Sequence, residues 1–232
     1  MQANLEKLIS FFPFEISEKT AQLFEEYVQA LLSYNQHTNL TAHRDAPMIF
    51  EKGILDSLLF PTLANLVKGT WLDVGSGAGF PGIPLLLQFP HSQWTLLEPI
   101  GKKATFLKKI RQDLQLSFDV VVNRAESFIL TSREHYEGVV SRAVASLPIL
   151  LELCLPFLKV GGYFLAYKGE KVEEEVLLSS HALQCLGGNV ESIEYQQLPT
   201  DQAKRSLVII RKIHSTPQQY PRMFSQIKHY PL

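Results

Sequence analysis

The spacing of apolar residues changes near residue 70, which divides the chain into two kinds of predicted structure. Before this point apolar side chains recur every three or four residues, the period of a helix with one buried face. In residues 17–34 these positions are Leu23, Tyr27, Ala30, Leu31 and Tyr34. Ser17 and the sequence Asp45-Ala46-Pro47 are typical of helix starts. Residues 1–66 are therefore predicted to form a helical extension, whose second helix runs to about residue 60.

After residue 70, short strand-like runs alternate with helical ones. The strand-like runs are 71–74, 94–98, 118–122, 138–141, 163–167, 190–197 and 207–213, and the helical runs are 83–89, 102–114, 147–158 and 171–186. This alternation predicts an α/β fold with a seven-stranded, mostly parallel sheet over residues 67–214. No helix separates the last two strands, so we expect the last to be an antiparallel insertion at the sheet edge. Residues 215–232 are predicted to be a basic, irregular tail.

A cluster of glycines directly follows the first strand. Gly75, Gly77, Gly79 and Gly82 lie within eight residues, and the last three match the G-x-G-x-x-G pattern of nucleotide-binding loops. Glycine accepts positive φ and lets a ligand approach the backbone closely. The next strand-like run ends at Glu98, where an acid reaches the same crevice and binds ribose hydroxyls. The sequence therefore predicts a cofactor that carries a nucleoside.

The identity of that cofactor depends on Asp73. This acid lies inside the strand end, two residues before the first glycine. The arrangement resembles the first motif of S-adenosylmethionine-dependent methyltransferases more than a nicotinamide-binding loop. A dinucleotide-dependent oxidoreductase remains the first alternative, although no catalytic Tyr-x-x-x-Lys constellation accompanies the loop.

Charge is spread unevenly along a nearly neutral chain of 232 residues with a formal net charge of −1. Residues 102–111 carry five basic side chains and no acid, and no acid follows Asp201. The cations of the second segment are Lys204, Arg205, Arg211, Lys212, Arg222 and Lys228. Two such segments predict a surface that faces a polyanion, and ordinary solvated faces explain them equally well. A non-catalytic RNA-binding protein is therefore the second alternative.

Other classes of protein are disfavoured by composition. Cys154 and Cys185 have no metal or redox spacing, and the seven histidines are scattered, so no metal site is expected. Cys154 is expected to be a buried thiol in an apolar helix. The first seven residues do not resemble a signal peptide, and no run approaches the ~20 apolar residues of a membrane span. We expect a cytoplasmic monomer.

Several short motifs, taken in chain order, closely resemble those of the glucose-inhibited division protein B family. They are Asn39-Leu40-Thr41, Ile54-Leu55-Asp56-Ser57, the glycine loop with Phe80, Gly101-Lys102-Lys103, Arg124-Ala125-Glu126, Val140-Ser141-Arg142-Ala143, Lys168-Gly169 and Tyr220-Pro221-Arg222. This resemblance implies a class I, Rossmann-like methyltransferase. Its expected activity is transfer of a methyl group from S-adenosylmethionine to N7 of a guanosine in small-subunit (16S) ribosomal RNA. The expected partner is that RNA or a ribosomal particle.

The resemblance also assigns roles to residues. Together with the loop pattern, it predicts that the cofactor is bound by Asp73, Gly75, Gly77, Gly79, Phe80, Glu98, Ala125, Glu126 and Arg142. Ala125 and Glu126 are expected to flank the adenine, and Arg142 to lie near the transferred methyl group. Arg124 and Lys168 are expected near an RNA-facing pocket, and with Arg142 they are the predicted catalytic residues.

Two positions depart from the family pattern. The family often has histidine before Ile-Leu-Asp-Ser, but this chain has Gly53, so a histidine role is absent there. Met223 and Phe224 stand where the family tail usually has glycine, which puts an RNA contact of the tail in doubt. Asp56 is expected to cap a helix, and the alternative is that it supports the glycine loop from the N-terminal region.

The predicted reaction needs no strong general base, because N7 of neutral guanine has a free lone pair and no proton to lose. The residues must instead align the nucleophile, the methyl group and the sulfur. The planar fork of Arg142 is suited to donate hydrogen bonds to guanine O6 or to a phosphate.

Overall fold

The computed structural model describes residues 9–232 and has a single seven-stranded sheet in the order β3-β2-β1-β4-β5-β7-β6. The predicted absence of a signal peptide falls on residues that lie outside the described range. The strands are β1 (Thr70–Val74), β2 (Gln93–Leu97), β3 (Asp119–Val121), β4 (Tyr136–Arg142), β5 (Leu158–Lys168), β6 (Gly188–Gln197) and β7 (Lys204–Lys212). The predicted α/β fold and its seven strands are confirmed.

The strand directions also follow the prediction, with one difference of position. Strands β1 to β5 pair in parallel, and β7 runs antiparallel to both of its neighbours. The last strand therefore lies one place inside the sheet, because β6 pairs along its outer side. All five parallel strands end at one edge of the sheet, and in open α/β folds ligands bind at that edge.

Helices cover both faces of the sheet. They are α1 (Glu18–Asn35), α2 (Ala46–Ile49), α3 (Asp56–Leu58), α4 (Leu63–Leu66), α5 (Gly82–Gln88), α6 (Gly101–Asp113), α7 (Ala125–Ser132), α8 (Leu147–Cys154), α9 (Val172–Leu178), α10 (Ser180–Leu186) and α11 (Phe224–His229). Helix α7 was not predicted, and α11 lies in the tail predicted to be irregular. The predicted helix over 171–186 is two helices separated at Ser179, and the one over 147–158 ends in a 3₁₀ turn, Leu155–Phe157.

The two predicted helix starts are confirmed. The side chain of Ser17 accepts a hydrogen bond from the Thr20 amide at 3.1 Å, and Asp45 accepts one from the Met48 amide at 2.9 Å. Each oxygen satisfies an amide that has no partner inside the helix. The second helix is not regular beyond its first turn, because α2 continues into a π-helix, Phe50–Leu55, before α3.

The N-terminal helices share a hydrophobic core with one face of the sheet. Phe24 and Tyr27 of α1 are fully buried, and they pack in the same cluster as Phe50 and Phe106. The Tyr27 hydroxyl donates to the Ala78 carbonyl at 2.6 Å, so α1 rests directly on the glycine loop. The boundary at residue 66 stays a prediction.

The opposite face carries a second core built on α8. Cys154 is fully buried there, which confirms its predicted position in an apolar helix. Burial raises the pKa of this thiol well above its usual value. In residues 9–232, no helix has the length and apolar character needed to cross a membrane.

Candidate active site

The loop between β1 and α5 is built around glycines with positive φ. Gly75, Gly77 and Gly79 have φ of 78°, 61° and 105°, values that residues with a side chain rarely adopt. A Cβ at Gly77 would meet only the Gly75 carbonyl oxygen, at 3.9 Å, so this part of the loop has an open face. The loop therefore offers backbone to a ligand.

Glu98 fixes the position of this loop from the end of β2. Its carboxylate is buried and accepts hydrogen bonds from the amides of Gly77 and Ile100, each at 2.8 Å. Each carboxylate oxygen has a second lone pair for another donor. The predicted ribose contact is compatible with this arrangement and stays a prediction.

Asp73 lies beneath the loop and is fully buried. One carboxylate oxygen accepts from the Gly82 amide at 3.1 Å, at the start of α5, while the other has no hydrogen-bond partner among residues 9–232. Burial raises the pKa of this carboxyl from 3.8 to about 7. The side chain supports the loop from below, and its predicted cofactor contact is not visible in these interactions.

The observed loop fits S-adenosylmethionine. Gly77 exposes backbone beside the Glu98 carboxylate, which is an arrangement suited to a ribose. Ala125 and Glu126 begin α7 just after β3, so they lie at the same edge of the sheet on the far side of Glu98.

Arg142 connects this loop to the N-terminal helices. It ends β4, and its guanidinium carbon lies 5.1 Å from the centroid of the Phe80 ring. One amino group of Arg142 donates to the carbonyls of Lys52 and Gly53, at 3.2 and 3.4 Å. Both acceptors belong to the π-helix, a type of turn that is frequent at functional sites.

Gly53 makes the contact between the π-helix and the loop possible. A Cβ at this position would lie 2.4 Å from Cζ of Phe80, far inside van der Waals contact. The position where the family often has histidine therefore has no room for a side chain in this protein, because the Phe80 ring occupies the space where one would begin. The same ring also contacts Tyr27, with the centroids 5.5 Å apart.

Beside Arg142 is a cavity of about 640 Å³ at the ends of β4 and β5. It is lined by His43, Lys52, Asp56, Phe60, Arg142, Ala143, Ala145, Tyr167, Lys168, Gly169, Glu175, Arg205 and Ser206. Four of these side chains are cations and two are carboxylates, which gives an excess of positive charge. We call this space the target cavity.

Asp56 holds two arginines together at this cavity. Both of its carboxylate oxygens accept from Nε of Arg205 at 3.0 Å, and one lies 3.4 Å from Arg142. The expectation that Asp56 caps a helix is wrong, because its side chain bonds to these guanidinium groups. Arg205 was not predicted as a site residue, and it lies 149 positions from Asp56 in the sequence.

The sequence model that matches this chain covers residues 20–208 and describes the GidB family, rRNA small subunit methyltransferase G. The Ribosomal RNA small subunit methyltransferase G of Alkaliphilus metalliredigens is 43% identical over 90% of this chain and 89% of that protein. The protein of the same name from Halalkalibacterium halodurans is 40% identical over 90% of each. This chain belongs to the rRNA small subunit methyltransferase G family.

Solved structures share the fold of this family member at low sequence identity. TYW2 of M. jannaschii, solved in complex with AdoMet, superposes with a TM-score of 0.53 and 11% identity over 87% of this chain and 80% of its own. TYW2 of P. horikoshii, solved in complex with MeSAdo, gives a TM-score of 0.52 and 11% identity over 68% of this chain and 60% of its own.

Two of the three predicted catalytic residues line the target cavity of this rRNA small subunit methyltransferase G family member. Arg142 and Lys168 do so, whereas Arg124 lies elsewhere. Arg124 lines a separate hollow with Glu126, and its guanidinium carbon lies 6.0 Å from the centroid of the Phe224 ring. The structure therefore does not bring Arg124 to the other two.

Lys168 is not a free cation in the cavity wall. Its side chain is only 7% exposed, and its ammonium donates at 2.7 Å both to the Ala145 carbonyl and to the Glu175 carboxylate. The same carboxylate oxygen accepts from the Leu147 amide at 2.6 Å. Lys168 therefore fastens the segment that follows Arg142 to helix α9.

Proposed function

We propose that this chain transfers a methyl group from S-adenosylmethionine to N7 of a guanosine in small-subunit (16S) ribosomal RNA. The observation that carries the proposal is the position of Arg142. Its guanidinium lies against Phe80 of the glycine loop and also lines the target cavity. One side chain thus contacts both the place for the methyl donor and the place for the acceptor.

On the donor side, the loop at Gly75, Gly77 and Gly79 would hold the cofactor, with Glu98 at its ribose and Ala125 and Glu126 near its adenine. When bound, S-adenosylmethionine supplies a methyl group activated by a sulfonium centre. Phe80 would contact the cofactor through the loop, and its ring orients Arg142. Asp73 holds the loop to α5 from below.

On the acceptor side, Arg142 orients the guanine and takes no proton. A guanidinium stays protonated in proteins, so it acts as a donor of hydrogen bonds to O6 or to a phosphate. Its remaining nitrogens, Nε and Nη2, have no hydrogen-bond partner among the described residues. They are the atoms that would meet the substrate.

Lys168 acts in this proposal as a positioning residue. Through the Ala145 carbonyl and Glu175 it holds the segment after β4, which carries Arg142 at its start. Ala143 in this segment has φ of 57°, an uncommon value for a residue with a side chain. A fixed anchor at Ala145 stabilises that conformation. Arg124 is not assigned a role in methyl transfer.

The first experiment maps modified nucleotides by mass spectrometry in small-subunit RNA from cells with and without the protein. A single guanosine that loses one methyl group in its absence supports the proposal, and unchanged masses at every guanosine contradict it. Naked RNA and whole small subunits are then compared as substrates in vitro. Activity on ribosomal RNA would place the protein in the cytoplasm, and we propose that it acts as a monomer.

The role of Arg142 is tested by single-turnover methylation with Arg142→Ala and Arg142→Lys. We expect Arg142→Ala to slow methyl transfer at least tenfold, the effect of losing about 1.4 kcal/mol of transition-state stabilisation. Arg142→Lys should restore little, because an ammonium lacks the planar fork. Thermal melting checks that both variants fold. Wild-type transfer by Arg142→Ala would remove this residue from the mechanism.

Nothing in the fold or the comparisons favours a dinucleotide-dependent oxidoreductase or a non-catalytic RNA-binding protein. Titration calorimetry with S-adenosylmethionine and with NAD distinguishes the proposed function from the first alternative. Methyl transfer by the purified protein distinguishes it from the second.

A further inference from the structure

A second cavity, of about 750 Å³, adjoins the target cavity near the hairpin that joins β6 and β7. Arg205 and Ser206 line both cavities, so the two spaces meet at the start of β7. None of the residues predicted from the sequence as site residues lies in the second cavity. We call it the hairpin cavity.

Two exposed aromatic rings face this space. Tyr195 of β6 is 54% exposed and Phe11 is 45% exposed, although large apolar side chains in this protein are mostly buried. The Tyr195 hydroxyl donates to the Glu173 carboxylate at 2.8 Å, which fixes one edge of the ring. An accessible aromatic ring with a fixed edge is a surface on which a nucleobase can stack.

Side chains of both charges line the hairpin cavity, where the carboxylates Glu170 and Glu173 balance two cations. Its amides and cations suit the remaining parts of a nucleotide. Gln197 and Gln202 present amides, which can donate to and accept from a base edge. Lys204 and Arg205 are cations that match a phosphate. Both precede Ser206 in β7, so the cations stand beside the wall shared with the target cavity.

Arg205 is the physical link between the two cavities. Its Nε binds Asp56 in the target cavity, and its Nη1 donates to the Lys204 carbonyl at 3.0 Å. Among the described residues its Nη2 has no hydrogen-bond partner. Neighbouring nucleotides in RNA share one phosphate, so a cation on the wall between two cavities is placed where that phosphate would pass.

We propose that the hairpin cavity binds a second nucleotide of the substrate RNA, next to the guanosine in the target cavity. Its base stacks on Tyr195, and the phosphate between the two nucleotides contacts Arg205 and Lys204. This inference rests on the proposed function, because it assumes that RNA enters the target cavity. It adds a residue that strengthens substrate binding without touching the reacting atoms.

The test compares Tyr195→Ala and Tyr195→Phe with wild type in two assays, binding of small-subunit RNA and steady-state methylation. Loss of one base–aromatic stack weakens binding by roughly five- to a hundredfold. We expect Tyr195→Ala to raise Kd and KM for RNA in that range and to leave kcat and the Kd of S-adenosylmethionine unchanged. Tyr195→Phe keeps the ring and should stay within about twofold of wild type.

Tyr230→Ala is the matched control, because Tyr230 is 76% exposed and lies outside both cavities. It should bind RNA as the wild type does. Equal binding by Tyr195→Ala and wild type overturns the inference. So does equal weakening in Tyr195→Phe and Tyr195→Ala, because the hydrogen bond to Glu173 would then account for the effect.

Two further outcomes separate this inference from the proposed function. A wild-type protein that binds RNA but transfers no methyl group contradicts the proposed function. The ratio of the RNA Kd of Tyr195→Ala to that of wild type still tests whether the hairpin cavity binds RNA. A Tyr195→Ala defect on whole subunits that is absent on naked RNA would mean that the cavity contacts a ribosomal protein, and the inference would be wrong.

Discussion

At the scale of single residues, the most consequential contact joins positions that are far apart in the chain. Asp56 lies between Arg142 and Arg205, and local spacing gives no sign of this pairing across 149 residues. The sequence did indicate Arg142 and Lys168, through the family resemblance and because each directly follows a predicted strand at the ligand-binding edge. It missed Arg205, whose strand begins at that edge instead of ending there.

The lack of a side chain at Gly53 leaves room for the Phe80 ring. We predict that Gly53→Ala forces the Phe80 ring aside, since the new Cβ would lie 2.4 Å from Cζ of that ring. Overpacking of this kind costs about 1–3 kcal/mol of unfolding free energy. The displaced ring would also move Arg142, so methyl transfer should fall. Denaturant unfolding and single-turnover methylation measure the two effects.

Two further variants show whether the Phe80 ring is the cause. Gly101→Ala is the matched control, because a Cβ there meets nothing within 4 Å, and its unfolding free energy should not fall. In a Phe80→Leu background, Gly53→Ala should lose most of its cost, because the branched side chain does not reach as far. Full additivity of the two changes would contradict the proposed clash.

The raised pKa of Asp73 predicts that the stability of the protein depends on pH. Burial raises its pKa from 3.8 to about 7, so between these values the folded protein holds a proton that the unfolded chain releases. The stabilisation of the folded protein by this extra proton is fully present below pH 3.8 and is lost as the pH rises towards about 7. Each rise of one pH unit in this interval lowers the free energy of unfolding by up to about 1.4 kcal/mol. We expect Asp73→Asn to lack this dependence.

The measurement is thermal melting of both proteins from about pH 5 to about pH 8, a range that spans the raised pKa. Wild type should lose stability relative to Asp73→Asn as the pH rises, and the difference should level off above the raised pKa. Because every other group titrates in both proteins, the difference isolates Asp73. Parallel curves would show that this carboxyl is ionised in the folded protein throughout the range.

At the scale of elements, an ion pair helps to hold the C-terminal segment against α8. Glu152 of α8 is fully buried, and its carboxylate accepts from Nε of Arg222 at 2.9 Å and from Nη2 at 2.7 Å. We predict that Arg222→Ala lowers the unfolding free energy by about 3–5 kcal/mol, because it leaves a buried charge unpaired. Denaturant unfolding measures the loss, with Lys228→Ala as the control from the same segment.

A double variant separates the missing charge from the missing contact area. Replacing Glu152 and Arg222 together by leucine removes both charges, so the double variant should be more stable than Arg222→Ala. If it is less stable, packing and not charge explains the cost. This pair also changes the interpretation of the tail, since Arg222 is committed to an internal partner and is not free for RNA.

Hydrophobic periodicity predicts best the elements that are buried on one face or along their whole length. Strands β1, β2, β4 and β7 and helices α1, α5 and α6 belong to this group. Strands β3 and β6 were also predicted, although they form the two edges of the sheet and most of their residues are exposed or half-buried. The π-helix was missed because its apolar residues continue the helical period of α2, while its hydrogen bonds shift by one residue. Helix α7 was missed because it is a short run between a strand and a loop, with no strong cap in its sequence.

At the scale of the whole molecule, three of the six basic side chains that follow Asp201 have partners inside the protein. Lys212 is fully buried and donates to the Leu155 and Leu186 carbonyls, and burial lowers its pKa to about 8. Arg222 binds Glu152, and Arg205 binds Asp56 through Nε, so that only part of the Arg205 guanidinium is left for a phosphate. The count of basic residues after Asp201 therefore overstates the charge available to a polyanion, which the sequence alone did not show.

Helix α6 is the better candidate for a cationic RNA-binding surface. It begins just after β2, so Lys102 and Lys103 in its first turn lie at the same edge of the sheet as the glycine loop. Lys108 is exposed on the same helix. Lys109, in contrast, pairs with Asp113 at 2.7 Å, which reduces its availability to RNA.

We predict that replacing Lys102, Lys103 and Lys108 together by glutamine lowers the salt dependence of RNA binding. Each lost phosphate contact reduces the slope of log K against log salt concentration by about 0.7–0.9, so the loss of three contacts should lower the slope by about two to three. Binding is measured at several salt concentrations for wild type and variant. The control is Lys159→Gln, because Lys159 is also exposed and lies near the start of β5, at the opposite edge of the sheet. A triple variant with the wild-type slope would mean that α6 presents an ordinary solvated face, and that RNA is held by the target cavity and its neighbours alone.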